Sequence, residues 1–219
     1  MTPYYEDGQV QIWHGDCRDI LPSLSIDAPA ALVFDPPYGH RYESNHPRRP
    51  GAPRSIANDN DTIVRDFIID WWGSRGPALI FGSWKRPRPA ATKGVLVWDK
   101  GGALGSGDLS LPWKFDHEEI YVLAGPFTGR RDSGSVLRHP PVQAVGRDHP
   151  NEKPVGLMSK LLAKVPASRV IDPCCGVGPV LAAAKARGRQ AIGIELDERY
   201  CEIAARRLGQ EVLDLGQAG

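Results

Sequence analysis

Residues 168–197 read SRVIDPCCGVGPVLAAAKARGRQAIGIELD. The apolar run in SRVID is a strand ending at Asp172, and DPCCG is a turn. PVLAAAKAR is a helix with Pro179 in its first turn, where the missing N–H costs nothing, and Gly188 as its stop. QAIGIELD is a second strand, and DERYCEIAARRL continues as an amphipathic helix. Strand, helix, strand, helix predicts an α/β domain built on a doubly wound, mostly parallel sheet.

The turn carries chemistry. Gly176 and Gly178 fall between strand and helix, where bare backbone and free N–H groups can approach a ligand. Glu195 closes the next strand 17 positions after Gly178, placed to accept hydrogen bonds from ribose hydroxyls. A nucleoside-containing cofactor follows. The third glycine of a dinucleotide fingerprint is replaced by Leu181, which counts against NAD. A tight turn without a ligand is the plain alternative, and Glu195 in this context favours the cofactor.

Working outward, a second junction stands near the other end. ALVFDPPYGHRY, residues 31–42, is an apolar strand broken by Asp35, Pro36, Pro37 and Tyr38. The prolines cannot extend a hydrogen-bonded ladder and fix φ, so the Pro36 carbonyl is held beside the Asp35 carboxylate. Two adjacent acceptors suit an NH₂ group, and Tyr38 offers a flat face. An exocyclic amine on a planar ring matches all three. The alternative is a proline-rich turn with Tyr38 in the core. Upstream, VQIWH is a strand, and Asp16 by itself reads as the N-cap of a short helix from Cys17.

Between the junctions, DTIVRDFIIDWWG reads as a helix ending at Gly73 or Gly76. ALIFG, GVLVWDK and HEEIYVL read as strands, and VGLMSKLLAKV as an amphipathic helix. Residues 39–54, 101–115 and 130–154 are irregular. GGALGSG lacks a following helix and is a loop. HEEIY has no second His for zinc, so His117 is structural.

The totals bound the rest. The 219 residues, 41% hydrophobic and 24% charged with net charge +1, describe one globular domain and exclude a wholly electrostatic nucleic-acid binder. Cys17, Cys174, Cys175 and Cys201 have no CxxC spacing, which argues against a zinc site and fits a reducing cytoplasm. Neither a signal peptide nor a run long enough for a membrane span is visible.

DPPYG after an apolar strand, HPNEKP at 149–154 and DPCCGVG downstream, with HGDCRDIL ahead of all three, resemble the permuted, β-class, amino-methyltransferases of DNA. The resemblance covers both ends of the chain and several elements between. It implies S-adenosylmethionine (SAM) as cofactor, no metal, and double-stranded DNA as partner, with a homodimer as an option and no membrane. It implies that Asp35, Pro36, Pro37 and Tyr38 hold the target base. Asp172, Pro173, Cys174, Gly176 and Gly178 would line the SAM pocket, with Glu195 and Leu196 at the ribose. Asp16 would receive the cofactor adenine amine beside Cys17, and Asn151 and Lys153 would lie near the methionine end. The family's Phe after Asp-Pro and its hydroxyls around the second Gly are replaced here by Cys174, Val177 and Pro179. Their hydroxyl contacts would be lost.

The domain would be single, 1–219, with DNA-contacting loops at 39–60 and 101–147. Arg48, Arg49 and Arg54, with Arg130, Arg131 and Arg138, are the expected phosphate contacts. Adenine N6 is the expected target. Cytosine N4 presents the same amine, but the family's cytosine enzymes more often carry Ser where Asp35 stands. Protein-glutamine and RNA-amine methyltransferases usually show Asn there and an unpermuted order, which this chain lacks. A non-catalytic SAM- or DNA-binding relic is the remaining reading, opposed by the intact Asp35-Pro36-Pro37-Tyr38. The recognition sequence and the restriction–modification or phage setting are left open.

Overall fold

A computed structural model describes residues 2–26, 29–40, 57–102, 110, 112–142, 152–166 and 168–214. In chain order the elements are β1 (Tyr5–Glu6), β2 (Val10–His14), α1 (Cys17–Ile20), β3 (Ala30–Phe34), α2 (Ile63–Trp72), β4 (Ala78–Gly82), β5 (Thr92–Asp99), β6 (His117–Leu123), β7 (Val136–Arg138), α3 (Val155–Leu162), β8 (Arg169–Asp172), α4 (Pro179–Lys185), β9 (Gln190–Glu195) and α5 (Glu198–Asp214). The strands form one sheet in the order β1-β2-β9-β8-β3-β4-β6-β5-β7. The run from β2 to β4 is parallel, β6 is antiparallel to both neighbours, and β7 is parallel to β5.

β3 is buried at all five positions because helices cover both faces of the sheet, so its sequence has no reason to alternate. The pleat still sorts its side chains. Ala31 and Val33 join the core under α3, α4 and α5, with Leu157, Leu181 and Ala204. Ala30, Leu32 and Phe34 join the opposite core under α1 and α2, with Ile20, Ile68 and Trp72. The three consecutive alanines of α4, all buried, let that helix lie close on the sheet.

The chain leaves β3 for β4 on one side and β8 for β9 on the other. The strand order therefore reverses between β3 and β8, which pair in parallel with Ala31 opposite Val170. At such a reversal the two outgoing connections diverge and open a crevice at the carboxyl ends of the strands.

Two short strands correct the sequence reading. β1, which the sequence reading does not contain, adds an edge strand antiparallel to β2. An Asp7-Gly8 turn returns the chain, with the Asp7 carboxylate accepting from the Gln9 and Val10 amides at 3.1 and 2.8 Å. Residues 136–138, read as irregular, add β7 at the far edge beside β5. The span 101–147 is therefore not one loop: it contains β6 and β7.

Candidate functional site

A cavity of about 360 Å³ opens at the switch point, lined from both halves of the chain, with Asp35 and Tyr38 on one wall and Gly176 and Glu195 on the other. On the β8–β9 side, Gly176 has φ +51°, and a Cβ built there would meet no atom within 4 Å. The turn thus presents bare backbone to open space. Gly178 N-caps α4 in the left-handed region. Glu195 ties this turn to the next: its Oε2 accepts from the Gly176 amide at 2.9 Å and its Oε1 from the Asp197 amide at 2.8 Å. Each oxygen keeps a lone pair for a ligand hydroxyl. Burial raises the Glu195 pKa.

Asp172 is buried at the end of β8, and its Oδ1 accepts from the Cys174 amide at 3.2 Å. Burial pushes its carboxyl well above the usual range, and the neighbouring carboxylates Asp35 and Glu195 add to this. Pro173, Cys174 and the exposed Leu196 complete this wall. Opposite them, Asp16 caps α1 by accepting from the Arg18 amide at 2.9 Å, and the Arg18 guanidinium holds its carboxyl low. Cys17 is buried and lines the same cavity as Cys174.

On the β3 side, the turn after Phe34 is fixed at its far end by Gly39. Its φ is +75°, and a Cβ would lie 2.8 Å from the Asp61 backbone. The buried Asp59 carboxylate accepts from the Gly39 and His40 amides at 2.6 and 3.2 Å. Within the turn, Asp35 Oδ2 receives Lys153 Nζ at 2.5 Å, while Asp35 Oδ1 is buried and has no hydrogen-bond partner among the described residues. A buried acceptor left unpaired is costly, and such a group is expected to meet its partner in a complex.

A charge network surrounds this acid. Lys153, 3% exposed, also lies 3.2 Å from Glu118 Oε2, and its ammonium faces the Tyr38 ring at 5.5 Å. The Tyr38 hydroxyl donates to Glu118 Oε2 at 2.8 Å, and Lys100 Nζ pairs with Glu118 Oε1 at 2.6 Å. Burial opposes the Glu118 charge, but Lys153 and Lys100 outweigh it and bring the carboxyl down to about 2. Asp35 goes the other way. Burial and the Glu118 charge raise its pKa, although Lys153 is closer to it. The difference is the second cation, Lys100, which serves Glu118 alone. Counted as charged, these two carboxylates and two ammoniums sum to zero, so this cluster is neutral by itself.

Asp16, Cys17, Asp35, Pro36, Pro37, Tyr38, Lys153, Asp172, Pro173, Cys174, Gly176, Glu195 and Leu196 all line the one cavity, whereas Gly178, expected there too, does not and packs against Ala204 of α5. Lys153 stands on the Asp35 side of it rather than in the cofactor turn. Asn151, Arg48, Arg49 and Arg54 lie outside the described residues. Arg130 and Arg131 are exposed, but their stretch lies against the C-terminal end of α3, where Lys164 Nζ donates to the Arg130 carbonyl at 2.6 Å. That is the opposite end of the helix from Lys153, away from the crevice. Arg138 is at the crevice end of the sheet, opposite Asp99 and paired with it at 3.0 Å. Its strand is four places from β3, about 19 Å at ordinary strand spacing. Sequence reasoning missed Glu118 and Lys100. The only available signal was two adjacent acids at the start of an otherwise apolar strand.

The profile of a family described as DNA methylase matches residues 83–206. Type II methyltransferase M2.MboI of Moraxella bovis is 21% identical over 248 residues, covering 94% of this chain and 91% of its own. Among solved structures, an M1.HpyAVI–SAM complex superposes with a TM-score of 0.64 at 22% identity, over 91% of this chain and all of that one. The cytosine-N4-specific PvuII DNA methyltransferase superposes with a TM-score of 0.67 at 13% identity, over 93% and 88%.

Proposed function

The chain belongs to the DNA methylase family of amino-methyltransferases, and from that premise we propose that it methylates the N6 amine of an adenine turned out of duplex DNA. SAM is the cofactor. The residues present fit it: an open glycine cradle at Gly176, a ribose acceptor in Glu195, and buried carboxylates that favour a cationic ligand. When bound, SAM supplies an electrophilic methyl carbon on a sulfonium centre.

The observation that carries the proposal is the unpaired Asp35 Oδ1 beside Tyr38. An exocyclic amine donates one N–H to Oδ1 and the other to the Pro36 carbonyl, and its ring stacks on Tyr38. Acceptors on both N–H bonds localise the nitrogen lone pair, which ring conjugation otherwise withdraws. As the nitrogen becomes cationic, the Asp35 charge stabilises it, while Lys153 favours the ionised form against burial and aims the carboxylate. Bringing the base into the pocket costs a few kcal/mol of unstacking, which Tyr38 offsets in part.

Adenine is favoured over cytosine by Asp at position 35, since the family's cytosine enzymes more often carry Ser there. Long-read sequencing of DNA from cells expressing the chain, beside cells expressing Asp35→Ala, reads base and context together. N6-methyladenine with the intact chain alone is expected. N4-methylcytosine in its place would reassign the base, and no modification would refute the activity.

Cofactor affinity should depend on pH. Asp35, Asp172 and Glu195 are all held above ordinary carboxyl values, with burial the leading cause. Protonated, they offer no charge to a sulfonium; ionised, they attract it. Affinity for SAM therefore rises with pH through their raised pKa values. S-adenosylhomocysteine, which lacks the sulfonium, should respond less steeply. Titration calorimetry from about pH 5 to about pH 8 tests this, and equal slopes for the two ligands would remove the argument.

A further inference from the structure

We propose that Trp84 and Phe115 form a stacking platform for an unpaired nucleobase beside the mouth of the cavity. The proposal rests on the reading that the chain acts on DNA, and extends it to a site outside the catalytic turn. Of the seven large hydrophobic residues that stand exposed among the described ones, three lie in two short segments at this edge: Trp84, Trp113 and Phe115, at 48, 71 and 42%. Trp84 and Phe115 face each other at 5.0 Å between ring centroids, tilted by 39°. Lys85 Nζ stands 5.7 Å from the Trp84 ring centroid, and Lys114 is exposed between Trp113 and Phe115. Exposed π faces interleaved with cations suit a polymer that is anionic along its backbone and flat along its bases. The charge complementarity favours nucleic acid over an apolar protein surface.

The position fits the same occupant. Trp84 lies three residues beyond Phe81, which lines the cavity, so the two Cα atoms are at most about 11 Å apart. Phe115 precedes β6, whose Glu119 pairs with Gly82 at the end of β4. The Arg86 guanidinium donates to the Gly39 carbonyl, tying the platform segment to the turn that carries Asp35. A base stacked here would be held at a fixed offset from the one in the pocket.

The test compares binding of a fluorescein-labelled oligo(dT) strand, whose bases carry no exocyclic amine for the catalytic pocket, with an abasic strand of equal length, using the full chain. The charge is the same and only the bases differ. The wild-type chain should prefer oligo(dT) by about tenfold or more. Trp84→Ala or Phe115→Ala should remove most of that preference while leaving the salt dependence of binding unchanged, because phosphate contacts persist. Trp84→Phe should restore most of it. Both side chains are exposed, so melting temperatures should match wild type. A preference that survives both alanine variants, or its absence in the wild type, overturns the proposal. Methylation of duplex DNA is assayed in parallel. Transfer without a base preference leaves the enzyme reading intact and the platform refuted; a Trp84-dependent preference without transfer does the reverse.

Discussion

Asp35→Ala should lower kcat on DNA by about 10²-fold or more, the usual effect of removing one preorganised hydrogen bond to a developing charge. The structure sharpens the reason. Asp35 Oδ2 is taken by Lys153 and Oδ1 is kept free in a buried setting. The acid is thus anchored by one oxygen and presents the other. Its value rises as the amine nitrogen gains charge, so the loss should fall on turnover more than on binding. SAM affinity should change far less, because Asp172, Gly176 and Glu195 remain. Lys153 keeps Glu118 as a partner at 3.2 Å, so the variant does not strand a buried cation. Asp35→Asn preserves volume and separates loss of charge from loss of packing. Single-turnover methylation of a duplex is the measurement. Near-normal rates in both variants would reduce the Asp-Pro-Pro-Tyr segment to a turn.

Glu195→Ala should weaken SAM binding roughly ten- to a hundredfold, since a hydrogen bond to a charged group contributes about 1.5–3 kcal/mol. Two effects combine. The ribose acceptor disappears, and the Gly176 and Asp197 amides lose the carboxylate that joins the two turns. Glu195→Gln keeps a carbonyl for one amide but has no second acceptor, so partial recovery is expected. The kcat at saturating SAM should survive, because Glu195 does not touch the reacting amine. Isothermal titration decides it: unchanged affinity, or tighter binding of NAD than of SAM, would overturn the assignment.

What the chain made legible follows from where local sequence and tertiary context agree. The segment SRVIDPCCGVGPVLAAAKARGRQAIGIE contains its own punctuation, and its strand–helix–strand is present as expected. β3 was legible because a strand buried on both faces reads as an unbroken apolar run. β1 is two residues long and β7 three, too short for periodicity to declare them. Asp7-Gly8 is the local hairpin signal for β1, and it lacks a periodic strand on its N-terminal side. Glu118 is illegible for another reason. Its meaning lies in Lys153, 35 positions away, and in Lys100 across a hairpin, neither of which shares its local pattern. Arg130 and Arg131 show the converse: clustering in sequence says nothing of which end of a sheet a charge will occupy.

The hairpin of β5 and β6 has a further consequence. Its base is locked by the Lys100–Glu118 pair, by the Lys100 amide donating to the Asp116 carbonyl at 2.9 Å, and by the Gly102 amide donating to the Asp116 carboxylate at 2.9 Å. β5, which Lys100 follows, and β6, which carries Glu118, are therefore held in register at their own ends. In an engineer's terms this clasp is a fixed joint, set by residues of the two strands and their immediate ends.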